Sequence, residues 1–231
     1  MKGFSAVSIT KAVCAICPDI EQRIANGAAT RCERSLWWEL SACVLSSQVA
    51  YPLASDAASA VDLSGYLFEP DCLPDLSDRL NAILQQPLNG TGRRYRFPCA
   101  RAKQLAIIKE RVTDQFGTLT ALLSGLENPV AARNWLVDFA PGLGPKQASM
   151  FLRNSGFSYD LAILDRHVLK YMELTGLRSE NSKPTATMKG YRLDEDSMRG
   201  HARELGFAVG ILDWAIWIVM RVAGAEQGAR A

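Results

Sequence analysis

An all-α fold is the class that this chain predicts, and three observations predict it. Apolar residues recur at helical spacing through most of the length. Helix punctuation, such as Asp75 after Pro74 and the glycines Gly117 and Gly176, falls at the ends of those stretches. No run of alternating apolar and polar residues is long enough to argue for a sheet.

The elements follow in order. Val13, Ile16, Ile20 and Ile24 predict a first helix, with Pro18 as an awkward residue inside it. Leu36, Trp37, Leu40, Val44 and Leu45 mark one face of a second, read as running to Val49 with Gln48 at its end. Leu76, Leu80, Ile83 and Leu84 mark another, with Asp75 as its N-cap. Leu105, Ile108, Val112 and Phe116 mark one that Gly117 ends, and a short helix over Leu119 to Leu126 follows. Ala131 to Phe139 and Gln147 to Asn154 form two arms around Gly142 and Gly144. Asp165 opens a helix through Val168, Leu169 and Met172 that closes near Gly176. The polar run from Arg178 to Gly200 contains Pro184 and reads as a loop with room for one helical turn. The last helix covers about Arg199 to Val222, with a break near Gly206 or Gly210, before a fraying tail.

Composition sets bounds. A chain of 231 residues with 48% hydrophobic residues can build a full core without staples. A net charge of +2 and a pI near 8.2 do not announce a nucleic-acid binder, so any such charge must be local. Met1-Lys2-Gly3-Phe4-Ser5 lacks the apolar run of a signal peptide. Residues 207–220 are apolar, but Asp213 interrupts them and the run falls short of the roughly 20 residues that a bilayer needs, so a buried core helix is expected and no membrane partner. The cysteines are Cys14, Cys17, Cys32, Cys43, Cys72 and Cys99. Cys14 and Cys17 form a lone C-x-x-C with no second pair or nearby histidine, which speaks against zinc. Buried free thiols and a reducing cytoplasm are the expectation.

The most informative stretch is 139–167. Pro141-Gly142-Leu143-Gly144 lies between two helical arms, where glycine permits a tight turn and close approach. The helix that follows turns its first N–H groups and positive dipole end outward, which suits a phosphate. Lys146 stands in its first turn, and Asp165 is a natural N-cap further on. Gly-x-Gly alone would describe an ordinary helical corner. An amine and a carboxylate behind a phosphate-holding turn suggest chemistry on DNA.

Pro141-Gly142-Leu143-Gly144-Pro145-Lys146-Gln147-Ala148, followed by Ala162-Ile163-Leu164-Asp165-Arg166-His167, resembles the signature of the helix-hairpin-helix (HhH-GPD) DNA glycosylase superfamily. Ala148-Ser149-Met150-Phe151-Leu152-Arg153-Asn154 is most similar to the small archaeal and bacterial 8-oxoguanine DNA glycosylase/AP lyases. Leu45-Ser46-Ser47-Gln48 resembles the superfamily's early DNA-facing segment, and the likeness spans about residues 35–220. It implies a two-lobed helical fold with the hairpin near the interlobe cleft. The expected central lobe is residues 36–154, with the hairpin at about 131–154, and the second lobe is residues 1–35 plus 155–231. It also implies a monomer acting on double-stranded DNA that contains a damaged base.

The resemblance assigns Lys146 as nucleophile and Asp165 as its charged partner. A glycosylase breaks a C1′–N bond through a cationic sugar. An unprotonated amine can attack C1′ and leave a Schiff base, after which elimination of the 3′ phosphate cuts the strand. The positive end of a helix dipole disfavours the ammonium form beside it. A capping carboxylate can steady the sugar and move protons. Without Asp165, Lys146 would read as a surface lysine on a phosphate. The rival enzyme reading keeps this mechanism on another damaged base; the non-catalytic rival is a hairpin DNA-binding module.

A base in duplex must be flipped out to be cut. Asp213 and Trp217 share a helix face, and the resemblance implies an aspartate and a stacking tryptophan for the base pocket. The alternative is that Trp217 is core with Trp214, Ile216 and Val219. Phe97 resembles the second stacking residue; the alternative is a core anchor for the Leu105 helix. Arg93-Arg94-Tyr95-Arg96-Phe97-Pro98, with Arg101 and Lys103, is the strongest basic cluster and suits phosphates with interleaved aromatics. The resemblance implies that Gln48 approaches the gap left by the flipped base; the alternative is a solvated helix end. His167 supports the Asp165 helix start and a nearby phosphate. DNA contacts are therefore expected from Gln48, Arg94, Arg96, Gly142, Gly144 and His167. No cysteine follows Cys99, so the iron–sulfur cluster of many endonuclease III relatives is not expected. The chemistry needs no catalytic metal, though the resemblance implies that the hairpin's carbonyls could hold a monovalent cation. The small enzymes recognise the oxidised base through a terminal lysine. The tail here reads Glu226-Gln227-Gly228-Ala229-Arg230-Ala231, so a different reading of the base, or a different base, is expected.

Overall fold

The computed structural model describes residues 5–26, 32–69, 74–179 and 187–228, the last four as main chain alone. Cys72, Pro184, Met1–Phe4 and the tail's Ala229–Ala231 lie outside the described residues. The described residues contain helices and no strand, only an isolated bridge between Pro87 and Arg94. The chain divides into two compact units, Met1–Ala29 with Ser158–Ala231, and Thr30–Phe157.

The contiguous unit holds α2 (Glu33–Leu45), α3 (Tyr51–Ser64), α4 (Leu76–Gln85), α5 (Pro98–Phe116), α6 (Leu119–Gly125), α7 (Pro129–Phe139) and α8 (Pro145–Asn154). The predicted stripes are buried: Leu36, Leu40 and Val44 of α2, Leu80 and Leu84 of α4, Leu105, Ile108 and Val112 of α5. Two expectations need correction. Helix α2 stops at Leu45, so Gln48 is not at a helix end but in a turn, exposed, with φ of 61°. Asp75 occupies the N-cap of α4 but in left-handed conformation and with no side-chain cap bond. Helix α3 went unread because its buried stripe is largely alanine, Ala54, Ala57 and Ala58 between Leu53 and Val61.

The other unit holds α1 (Ala6–Asn26), α9 (Arg166–Leu174), α10 (Met188–Leu205) and α11 (Val209–Gly228). Helix α1 runs straight through Pro18, its stripe of Ile9, Val13, Cys17 and Ile20 buried in the core with Leu212, Ala215 and Ile216 of α11. Packing outweighs the lost N–H of one proline. The expected loop over Arg178 to Gly200 is wrong from Met188 onward, where α10 spans 18 residues. The expected break falls at Gly206, which closes α10 at φ 83°, so that Arg199 belongs to α10 and α11 starts at Val209. Among the described residues no single helix is long and apolar enough to cross a membrane, and α10 with α11 reach that length only as a pair bent by 92°.

Candidate functional site

The hairpin is built from α7, the turn Ala140–Gly144, and α8. Gly142 has φ of 93°, and a Cβ there would sit 2.5 Å from Gln104 Oε1. Leu143 N–H closes the turn on the Ala140 carbonyl at 3.1 Å. Gly144 is the N-cap of α8, extended at φ −93° and ψ −179°, with no side-chain cap. Pro145 at the first position has no N–H, so the N–H groups of Lys146 and Gln147 lead the helix. The carbonyls of Ala140 and Gly144 already accept from Leu143 and Ala148. Among the described residues no three His, Cys, Asp or Glu side chains gather as a metal centre would require.

Lys146 is half-buried in the first turn of α8, with Nζ 3.9 Å from Met150 Sδ. Helix α2 packs alongside α8. There Glu39 Oε1 accepts from Asn154 Nδ2 at 2.7 Å and from the Cys43 thiol at 3.6 Å. Burial pushes the Glu39 carboxyl above the usual carboxylate range. Burial first, and the nearby Glu39 second, push the Cys43 thiol well up; Lys146 is close enough to pull it the other way.

Arg101 organises the neighbouring surface. Its guanidinium donates to Gln104 Oε1 at 2.6 Å and to the Ser47 carbonyl at 3.3 Å, and lies 6.0 Å from the Phe97 ring. One side chain thus ties the Ser46–Gln48 turn, Phe97 and the residue beneath Gly142 together. Phe97 is half-buried at the N-cap of α5 with the Arg96 guanidinium 4.9 Å from its ring centroid. Tyr95 differs from its exposed neighbours. It is buried, and its hydroxyl donates to the Leu45 carbonyl at 2.7 Å. That anchor leaves Arg94 and Arg96 pointing outward beside an open groove of about 510 Å³, lined also by Gln85, Gln86 and Pro98. Asp56 fixes the loop before them by accepting from the N–H groups of Gly90 and Thr91 at 3.0 and 2.7 Å.

In the other unit Asp165 is the N-cap of α9. Its Oδ1 accepts from the N–H groups of His167 and Val168 at 2.8 and 2.9 Å, while Oδ2 makes neither bond. His167 Nε2 lies 3.3 Å from Arg166 Nε. Trp217 is 36% exposed and carries the Arg221 guanidinium 4.9 Å over its ring, so it is not core, unlike buried Ile216. Asp213 is 1% exposed, and its Oδ2 accepts the Ile163 N–H at 2.6 Å. A buried aspartate demands a partner, and here the main chain supplies one.

Sequence reasoning missed what surrounds Ile163. Glu195 Oε1 accepts the Ala162 N–H at 3.0 Å. Tyr191 Oη accepts the Leu164 N–H at 3.1 Å and donates to the Ala162 carbonyl at 2.6 Å. A buried apolar run outside any helix or strand must find its hydrogen bonds in side chains, which was the available signal.

Comparisons with known proteins identify the family and the fold. Residues 20–207 match the family model described as Ogg-HhH, 8-oxoguanine DNA glycosylase. The chain is 33% identical over 189 residues to the 8-oxoguanine DNA glycosylase/AP lyase of Thermotoga sp. (strain RQ2), covering 82% of this chain and 81% of that protein. It superposes on the crystal structure of the 8-oxoguanine DNA glycosylase of Thermotoga maritima with a TM-score of 0.68 and 29% identity, over 92% of this chain and 93% of that one. The Methanocaldococcus jannaschii 8-oxoguanine glycosylase/lyase, solved with a 15mer DNA containing 8-oxoguanine, shares the fold at a TM-score of 0.65 and 24% identity, over 90% and 87%. With the helix-hairpin-helix in place and most of its length matched, the chain belongs to the 8-oxoguanine DNA glycosylase family.

Proposed function

We propose that the protein is a base-excision repair enzyme, a bifunctional DNA glycosylase/AP lyase that removes 8-oxoguanine from duplex DNA. The match of residues 20–207 to the family carries this reading. Lys146 and Asp165 each standing in or before the first turn of a helix supports it.

The Lys146 Nζ attacks C1′ through its lone pair. The glycosidic C1′–N9 bond breaks, and its electron pair leaves with the purine, which takes up a proton. The Asp165 carboxylate steadies the cationic sugar and accepts the proton that the new C–N bond releases. The C1′–O4′ bond then opens, O4′ is protonated, and a Schiff base joins Lys146 to C1′. Loss of a C2′ proton expels the 3′ phosphate and cuts the strand. An amine and a carboxylate carry all of these steps. The leading N–H groups of α8 hold a phosphate, with Gly142 and Gly144 allowing approach. Arg94, Arg96 and His167 add contacts to the backbone, and Gln48 faces the gap in the duplex. Trp217 and Phe97 offer stacking faces to the extruded base. The enzyme works as a monomer in the cytoplasm, at the nucleoid if the cell is prokaryotic.

The test is borohydride trapping on a duplex with one 8-oxoguanine. The wild-type chain should form a covalent adduct and cut the strand, and Lys146→Gln should form none. Undiminished trapping by Lys146→Gln would remove Lys146 as nucleophile. Cleavage of another lesion but not this one would move the substrate, and binding without cleavage would leave a hairpin DNA-binding module.

A further inference from the structure

The residues around Asp165 suggest how its place is fixed. Leu161 to Leu164 are buried and lie outside any helix or strand, and Asp165 follows directly, its own N–H bonded to the Ile163 carbonyl at 2.8 Å. No described strand pairs with this segment. Three successive N–H groups go to three buried side chains instead: Ala162 to Glu195, Ile163 to Asp213, Leu164 to Tyr191, at 3.0, 2.6 and 3.1 Å. Tyr191, Glu195 and Arg199 recur every four residues and so form one stripe of α10. Arg199 completes it, donating to the Asp160 carbonyl at 3.2 Å and lying 3.5 Å from Glu195 Oε2. Apolar residues would have filled this face at lower desolvation cost. Polar groups here hold one main-chain path and no other.

We propose that Tyr191, with Glu195 and Asp213 beside it, is a positioning residue for Asp165. The Tyr191 hydroxyl bridges both ends of the tripeptide that delivers the carboxylate. It bonds the N–H of Leu164, the residue before Asp165, and the carbonyl of Ala162. Asp213 takes its place as a main-chain acceptor for this segment rather than as a reader of the base. The inference rests on Asp165 acting in the reaction.

The test is single-turnover excision from an 8-oxoguanine duplex, with DNA affinity measured by anisotropy and folding by thermal melting. Tyr191→Phe keeps the ring and removes only the hydroxyl. It should slow excision roughly tenfold, since small displacements of a reacting group cost that order of rate, while affinity stays within about twofold. Combined with Asp165→Asn it should add no further slowing, because there is no carboxylate left to position. A wild-type rate in folded Tyr191→Phe, or the same slowing in both backgrounds, overturns the proposal. If Tyr191→Phe does not fold, Arg199→Ala gives the same comparison from a partly exposed position at the end of the stripe, judged by the same two criteria. Asp213→Asn retains an acceptor oxygen and should keep its preference for 8-oxoguanine over guanine; loss of that preference returns Asp213 to the base pocket and overturns its role here. Wild-type excision by Asp165→Asn alone would instead sink the catalytic reading of Asp165 itself.

Discussion

Replacing Gly142 with alanine tests the hairpin where its geometry is tightest. The backbone there is left-handed at φ 93°, which costs an L-residue about 1–2 kcal/mol. The new Cβ would lie 2.5 Å from Gln104 Oε1, 2.8 Å from its Cδ and 3.2 Å from Arg101 Nη1. The Gln104 amide is the flexible end of a side chain and can swing away. Doing so breaks its 2.6 Å bond from Arg101, a partly buried interaction that contributes about 1 kcal/mol. Alanine also narrows the unfolded ensemble and returns about 0.5–1 kcal/mol. The net loss is about 2 kcal/mol. At about 2–4 °C per kcal/mol for a chain of this length, the melting point should fall by about 4–8 °C. Gly144→Ala is the internal control. Its backbone is extended, and a Cβ would meet only Gln147 Oε1 at an ordinary 3.5 Å. The weaker N-cap is offset by the unfolded-state gain, so the melting point should stay within about 2 °C of wild type. Calorimetry on both variants decides. Equal shifts, or an unchanged Gly142→Ala, would refute the claim that this one glycine is conformationally required.

Three further outcomes follow from the surface and from one histidine. Arg94→Gln with Arg96→Gln should reduce the salt dependence of DNA binding by about one to two phosphate contacts, each worth a slope of about 0.9; an unchanged log–log slope would take the basic run off the DNA. Trp217→Ala should leave stability within about 1 kcal/mol, because the ring is already partly exposed, yet slow excision of the base; normal excision would dismiss it as a stacking platform. Burial holds His201 below its ordinary value of 6.5, with the Glu204 carboxylate partly opposing, and its Nε2 meets Tyr171 Oη at 2.9 Å. The unfolded chain therefore binds that proton first. Stability should be full above about pH 6.5 and decline as pH falls through the lower folded-state value. Denaturation midpoints from about pH 8 to 5 should show this slope in the wild type and less of it in His201→Asn.

The parts of the fold that were legible in the sequence are those where chemistry and periodicity coincide. Gly142, Lys146 and Asp165 announce a turn, a helix start and a cap through residue type alone. The stripes of α2, α4 and α5 are strongly apolar and were read directly. Helix α3 buries alanines, whose burial is invisible to a hydrophobic count. Helix α10 was hidden for the opposite reason. Its inward stripe of Tyr191, Glu195, Met198 and Ala202 contains a carboxylate, so the pattern looks like a polar loop. The buried acceptors around Ile163 are themselves what broke the periodicity. The Gln48 turn was missed because a left-handed glutamine leaves no mark in composition. Arg101 was read as one positive charge among several, although in the fold it links three segments.

The division of the chain bears on its synthesis. Helix α1 buries Ile9, Val13 and Cys17 in a core shared with α11, yet about 180 residues are translated between the end of one and the start of the other. At about 5–20 residues per second the ribosome needs roughly 10–40 s to supply that partner. The Thr30–Phe157 unit is contiguous and can close its own core in that interval. The nascent amino-terminal helix waits meanwhile with its oily side uncovered, which makes it the natural station for a chaperone on the growing polypeptide.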